Sequence, residues 1–341
     1  MSQVEPGAAL VLGHDPVPDA CRNSVIAIGN FDGVHLGHQA LLALARAAAG
    51  KRRTPFGLVT FEPHPKTFFR PEDPVFRLSP LPLKARLVAA LGASFVGVLA
   101  FDRAFAALEP EAFVRDILVG RFAAAHVVTG YDFHFGRGRK GNSASLKSLG
   151  DTLGFAVSSV EQVTDEDGVA PIASSAIRAA LRHGHVEAAA HQLGYWWTVL
   201  GDVVAGDGRG RSLGYPTANL ELEPGCEPKE GIYAVRVRID GEPGRPALPG
   251  AAYIGSRPTF ATGRRFLEVH LLDFSGDLYG RTIALEFIAF VRPDRAFETP
   301  EALKLQMDTD CRAIAAILDD VGRNDPMGRY PLGRLQAEGA L

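Results

Sequence analysis

The chain has 341 residues, 46% apolar and 22% charged, with a formal net charge of −3 at pH 7. That length exceeds one ordinary core and implies two domains, and the absence of charge runs leaves nucleic acid no electrostatic footprint. Arginine, aspartate or proline interrupts every apolar stretch, the first residues lack a basic start, and Cys21, Cys226 and Cys311 are scattered without CxxC spacing. A cytoplasmic protein with no membrane span, disulfide framework or zinc site is expected.

In chain order, short apolar runs with strand character fall at 25–28, 57–61, 95–99, 126–129 and 155–160. Helical patterns lie between them, near 38–49, 81–91, 110–119 and 143–153. This alternation implies βαβ units and a parallel sheet covered on both faces, with ligands at the carboxyl ends of its strands. Two loops begin at that edge: "GNFDGVHLGHQ" (29–39) and "GYDFHFGRGRKGN" (130–142). Residues 172–193 read as two helices broken at Gly184. Beyond them, strands at 197–206, 231–239, 251–255, 265–274 and 281–291 are separated by glycine- and proline-rich turns. Such spacing without helices predicts an antiparallel sheet or small barrel. A helix over 299–319, with Thr299 as N-cap and Pro300 in first position, closes that unit. The expected division is 1–184, 185–322 and a patternless tail, 323–341, with no internal repeat.

The loop at 29–39 raises a choice of partner for His35 and His38: a metal, a proton or a phosphate. A strand that ends in a glycine turn and enters a helix offers backbone N–H groups and the positive end of the helix dipole to an anion. Gly29, Gly33 and Gly37 let backbone approach a ligand closely. A metal needs further ligands, and His64 in "TFEPHP" matches no zinc spacing. Phosphate is therefore the better partner. "GRGRKG" (136–141) matches the GxGxxG string, but "YDFHF" separates it from the strand and no helix is expected to open there.

In the second half, "GDGRGRSLGYPTANL" (206–220) places Gly206, Gly208 and Gly210 where a backbone nest for phosphate is possible. Thr217 and Asn219 face the same way if the chain is extended, and their hard oxygens suit Mg²⁺ completed by substrate phosphates. A polar β-turn is the alternative. Alternation in "RFLEVHLLDF" (265–274) puts Leu267, Val269 and Leu271 on one face and Phe266, Glu268 and His270 on the other. If the aliphatic face fills a barrel, Glu268 points out of it.

"GNFDGVHLGH" resembles the HxGH signature of the adenylyl- and cytidylyltransferase superfamily, in the form typical of prokaryotic FAD synthetases. The resemblance extends through "TFEPHP", "FDRAFAALEPEAFV", "GYDFHFGRGRKGN" and "IASSAIRAAL". "GIYAV", "YIGSRPTF", "RFLEVHLLDF", "DLYG" and the spacing in 303–310 resemble the riboflavin kinase domain. Together they imply an α/β nucleotidyltransferase domain (Rossmann-like, HxGH) followed by a small antiparallel β-barrel kinase domain with a C-terminal helix. The implied function is bifunctional: ATP-dependent phosphorylation of riboflavin to FMN, then adenylylation of FMN to FAD with release of pyrophosphate. By this resemblance His35 and His38 contact ATP phosphates, and Gly29, Asn30, Phe31, Gly33, Asp132, Ser174, Ser175 and Arg178 belong to the same ATP site. Phe61, Pro63 and His64 belong to the flavin-binding face. In the kinase half, Gly208, Gly210, Thr217 and Asn219 bind Mg²⁺-ATP, and Glu268 is the general base.

The chemistry agrees with that division, because the phosphate of FMN is already anionic, whereas a primary alcohol needs a base to attack. The expected partners are riboflavin, FMN and ATP, with no nucleic acid or membrane, and the chain is expected as a monomer or weakly self-associating. Three departures from the family pattern stand out. His134 replaces an arginine, Ala176 replaces a threonine, and "LGYWWTVLG" (193–201) carries Trp196 and Trp197, expected to alter packing between domains. The first two leave open a riboflavin kinase with an impaired adenylyltransferase domain. A flavin-binding protein without turnover is the other alternative.

Overall fold

The computed structural model describes residues 8–165, 167–206, 214–242, 245–256 and 265–341. The chain forms two compact units, Met1–Val75 with Pro80–Ala173, and Phe76–Ser79 with Ser174–Leu341.

The first unit is built on β1 (Ala9–Leu12), β2 (Val25–Ile28), β3 (Phe56–Glu62), β4 (Phe95–Ala100), β5 (His126–Gly130) and β8 (Ala156–Val160); β6 (His134–Phe135) and β7 (Gly141–Asn142) form a separate ribbon. Its strand order is β1-β4-β3-β2-β5-β8, and every pair is parallel. All four residues of β2 are buried, as a central strand covered on both faces requires. From β2 the chain builds outward to β3 and β4, then crosses back to β5, so the order reverses between β2 and β5. The loops after these two strands therefore flank the crevice where open α/β sheets bind ligands.

The edge strand β1 was not expected from the sequence. Its short run, "ALVL", buries only Val11, so its pattern is weak. The expected helix at 110–119 divides into a short α-turn, Pro110–Ala112, and a wider π-type segment, Phe113–Arg121, which buries Phe113, Val114 and Leu118. The "GRGRKG" loop is directly preceded by β6 and ends in β7, and a helix, Ser143–Leu153, opens just after it. There Asn142 and Ser145 form a capping box. The expectation that it neither follows a strand nor leads to a helix is thus corrected. It is the tip of a hairpin, held by Arg137 and Lys140 against Glu109 at 3.5 and 3.6 Å.

The second unit begins with helices Ser174–His183 and Val186–Leu193, separated at Gly184, where φ is +80°. The first of these groups with the second unit, although the expected boundary at 184 assigns it to the first. An antiparallel sheet follows: β9 (Thr198–Asp202), β10 (Ala218–Glu221), β11 (Gly231–Ile239), β12 (Leu248–Ser256), β13 (Arg265–Leu271) and β14 (Thr282–Arg292), in the order β10-β13-β12-β11-β14-β9. Val204 N–H donates to Asn219 O at 2.9 Å and joins the two edges, so the sheet curls into a nearly closed barrel. Leu220, Leu267, Val269, Ile254 and Leu285 are among its buried aliphatic residues. Outside, the helix Pro300–Arg323, capped by Thr299, sets Ile314 and Leu318 against Ala234 and Ile288.

The tail does not trail. Pro326–Arg329 and Pro331–Ala337 are helical turns that return to the start of the barrel. Buried Gln336 accepts from Trp196 N–H at 2.8 Å, and its amide donates to Trp196 O and Thr198 Oγ1, both at 3.0 Å. Trp196 Nε1 donates to Asp325, which also receives Arg236 at 2.8 Å. Trp197 packs on Phe287 and Phe76 and donates to Leu78 O at 3.2 Å. The two tryptophans therefore fasten the tail and the 76–79 segment within the second unit. Gln336→Ala leaves a buried Trp196 N–H unpaired, at a cost of about 1–3 kcal/mol. Calorimetry should show this unit melting several degrees lower, and an unchanged Tm would contradict the clasp.

Candidate active sites

At the carboxyl end of β2 the chain turns through 29–35 and enters the helix Leu36–Arg52. His35 is the N-cap of that helix: its Nδ1 accepts from His38 N–H at 3.4 Å. The cap draws the two imidazoles together, with ring centroids 3.7 Å apart and planes 23° from parallel. Phe31 stacks on His38 at 4.7 Å. His38 Nδ1 is buried and has no hydrogen-bond partner within the protein. Burial first, then the neighbouring His35 and Lys84, lowers the His38 pKa well below the ordinary histidine value. At neutral pH its imidazole is uncharged, with one nitrogen as donor and the other as acceptor. Stacked imidazoles at a helix N-terminus beside a glycine turn form a phosphate-directed surface.

Beneath this loop lies a residue that sequence reasoning missed. Lys84, 2% exposed, donates to Asn30 O at 2.8 Å. The signal was present, because Lys84 interrupts the apolar face made by Leu83, Leu87 and Val88 on Leu81–Ala90. At the end of β5, Asp132 is exposed, and His134 Nδ1 donates to its carbonyl at 2.8 Å. Ser174, Ser175 and Arg178 lie on the helix Ser174–His183 of the second unit, whereas His35, His38, Asn30 and Asp132 belong to the first. Arg178 Nε donates to Phe76 O at 2.6 Å.

Of the three expected flavin contacts, Phe61 packs against Phe101 and Phe105, and Pro63 is exposed. Buried His64 caps the helix Pro65–Phe69, accepting from Lys66 N–H at 3.2 Å. A shallow, open depression of about 440 Å³ lies nearby, lined by Phe68, Phe69, Arg103, Ala106, Ala107 and Arg137. It joins an aromatic wall to two guanidinium groups, and none of the three expected contacts lines it.

In the barrel, β10 and β13 pair so that Asn219 lies directly opposite Glu268, and β12 places Tyr253 opposite Glu268 on its other side. Ala218 and Leu220 turn inward, so Thr217, Asn219 and Glu268 share the outer face. Tyr253 OH donates to Asp294 at 2.7 Å. Burial, that hydrogen bond and the negative charges of Asp294, Glu230 and Glu268 push its phenol pKa well up, so it stays a neutral donor. The chain passes tightly over Asn219: a Cβ on Gly206 would lie 2.2 Å from Asn219 Nδ2. A side chain at 206 would therefore displace the Asn219 amide. The neutral oxygens of Thr217 and Asn219 fit a hard cation that brings phosphate oxygens with it, and so fit Mg²⁺. Gly208 and Gly210, expected to cradle phosphate, lie outside the described residues.

A family model for FAD synthetase matches residues 17–176, and one for riboflavin kinase matches residues 193–318. The bifunctional riboflavin kinase/FMN adenylyltransferase of Escherichia coli strain K12 is 41% identical over 286 residues, 84% of this chain and 90% of that protein. Its counterpart in Pseudomonas fluorescens is 40% identical over 309 residues, 90% of this chain and 97% of that protein. The chain belongs to this bifunctional family.

A solved structure described as a macrolide-efflux protein from Streptococcus pneumoniae also superposes, with a TM-score of 0.77 and 30% identity over 93% of this chain and 99% of that one. Among the described residues here, no helix is long and apolar enough to cross a membrane. The FAD synthetase match includes Ser174 and Ser175 but ends before Arg178, and the riboflavin kinase match ends before the clasped tail.

Proposed function

We propose that the chain converts riboflavin to FAD in two ATP-dependent steps, one for each family domain. In the first, Glu268 takes the proton from the ribityl 5′-hydroxyl as its oxygen attacks the γ-phosphorus of ATP, and ADP leaves. Thr217 and Asn219 would hold Mg²⁺, which would supply positive charge against the triphosphate. In the second, a phosphate oxygen of FMN attacks the α-phosphorus of ATP and pyrophosphate departs. No base is required. His35, His38 and the amides of the glycine turn hold the triphosphate and meet the charge that builds on the leaving group. Asp132 adds to the ATP contacts, while Phe61, Pro63, His64 and the adjoining aromatic and guanidinium surface receive the flavin.

The observation that carries this reading is the contrast in equipment. A carboxylate stands directly across from Asn219 on the barrel's outer face, whereas stacked imidazoles occupy the sheet's crevice. The test is chromatographic: purified protein with Mg²⁺, ATP and riboflavin should yield FMN and then FAD. Formation of neither product contradicts the reading. Thr217→Ala should raise the Mg²⁺ needed for half-maximal riboflavin phosphorylation on the order of tenfold, the usual scale when a metal's supporting contact is lost. An unchanged Mg²⁺ titration would remove Thr217 from that role. We further place the chain in the cytoplasm as a monomer or weakly self-associating species. Its three cysteines, none of them in a disulfide, suit a reducing compartment.

A further inference from the structure

We propose that Lys84 is a positioning residue for adenylyl transfer, clamping the phosphate loop after β2 into its strained shape before ATP arrives. The inference rests on the adenylylation reading above. A buried ammonium is costly unless paired, and an apolar side chain would fill the same helix face without that cost. Lys84 is kept at 2% exposure among Leu83, Leu87 and Val88. Its Nζ donates to Asn30 O at 2.8 Å and reaches Thr60 Oγ1 at 3.4 Å and Glu62 at 3.9 Å. Thr60 Oγ1 donates to the same Asn30 carbonyl at 3.2 Å. One carbonyl at the start of the loop thus accepts two bonds, from β3 and from the helix Leu81–Ala90.

The loop needs such restraint. Phe31 and Val34, both buried, have φ of +48° and +40°. This is the left-handed region that non-glycine residues rarely occupy, β-branched ones least of all. Strained backbone of this kind persists only where its surroundings over-determine it. Lys84 and Thr60 hold the entry at Asn30, and Gln39 Nε2 holds the exit, donating to Val34 O at 3.0 Å. Between them Phe31 carries its ring onto His38. A chain of contacts therefore runs from the ammonium through Asn30 and Phe31 to the imidazole that faces the triphosphate. The same charge opposes protonation of His38, after burial and His35, and adds a fixed positive field beside an anion site.

The test compares Lys84→Met, Lys84→Arg and Thr60→Val with wild type in three assays: FMN adenylylation, riboflavin phosphorylation and titration of the His38 imidazole by NMR. In Lys84→Met, kcat for adenylylation should fall about 10- to 100-fold, the scale of a displaced reacting group or lost supporting contact. Phosphorylation should be unchanged, and His38 should titrate at higher pH because one positive neighbour is gone. Lys84→Arg should recover part of the rate. Thr60→Val, which removes one of the two donors to Asn30 O, should lower adenylylation severalfold. Wild-type adenylylation with unshifted His38 titration in folded Lys84→Met overturns the proposal. If that variant does not fold, full adenylylation by Thr60→Val overturns it. Absence of FAD from wild type would defeat the functional reading instead, and the His38 titration would still decide whether Lys84 acts on that imidazole.

Discussion

Glu268→Gln should lower riboflavin phosphorylation by about 10²–10⁴-fold, the range associated with a positioned general base, and leave added FMN convertible to FAD. Glutamine keeps the length and shape of the side chain but cannot take the hydroxyl proton. Glu268 sits in a strand whose register is fixed on both sides, by Asn219 on β10 and Tyr253 on β12. Its neighbours Leu267 and Val269 point into the barrel and are fully buried. The substitution therefore falls on the outer face and does not disturb the core. Separate assays with riboflavin and with FMN check the result. Loss of both activities in a folded protein would mean that Glu268 is not confined to one step.

His38→Ala should do the reverse, cutting adenylylation by about 10²–10³-fold, as removal of a charge-stabilising donor does elsewhere, while riboflavin is still phosphorylated and FMN accumulates. His38 touches Phe31 and His35 by stacking, and its buried Nδ1 has no hydrogen-bond partner. Truncation thus removes the imidazole proposed to meet the triphosphate and leaves the helix cap acceptor, His35, in place. Flavin product ratios provide the check, with circular dichroism to confirm folding. A variant that still makes FAD at the wild-type rate would move the charge-stabilising role elsewhere.

Much of the fold was legible because local patterns and tertiary demands coincide. β2 and β11 fall on the apolar runs at 25–28 and 231–239, Gly184 divides two helices, and Thr299 with Pro300 starts the long one. The alternation around Glu268 also foretold which residues fill the barrel. What escaped depends on partners distant in sequence. β1 is a short edge strand whose pairing with β4 is not encoded in its own pattern. β10 is a strand because β13 pairs with it, although "PTAN" alone suits a turn equally well. The tail lacks periodicity because single polar anchors, Asp325 and Gln336, hold it by hydrogen bonds to Trp196.

The sites divide in the same way. The residues proposed as central, His35, His38, Asn219 and Glu268, stand in short strings that chemistry makes readable. The cap role of His35 and the cap role of His64 appear only when backbone and ring are seen together. Lys84 reads as a flaw in an amphipathic helix until Asn30 O is found beside it. Nor does the sequence bring Phe68, Phe69, Arg103 and Arg137 around one surface depression, because they come from three separate segments.

The most direct measurement of the division of labour is complementation between Glu268→Gln and His38→Ala. Each variant alone, given riboflavin, ATP and Mg²⁺, should fail to make FAD, the first stopping at riboflavin and the second at FMN. Mixed in one vessel, they should produce FAD, because FMN released by His38→Ala is the substrate that Glu268→Gln still adenylylates. FAD from either variant alone at the wild-type rate, or none from the mixture although both proteins are folded, would contradict two separate sites with separate chemistry.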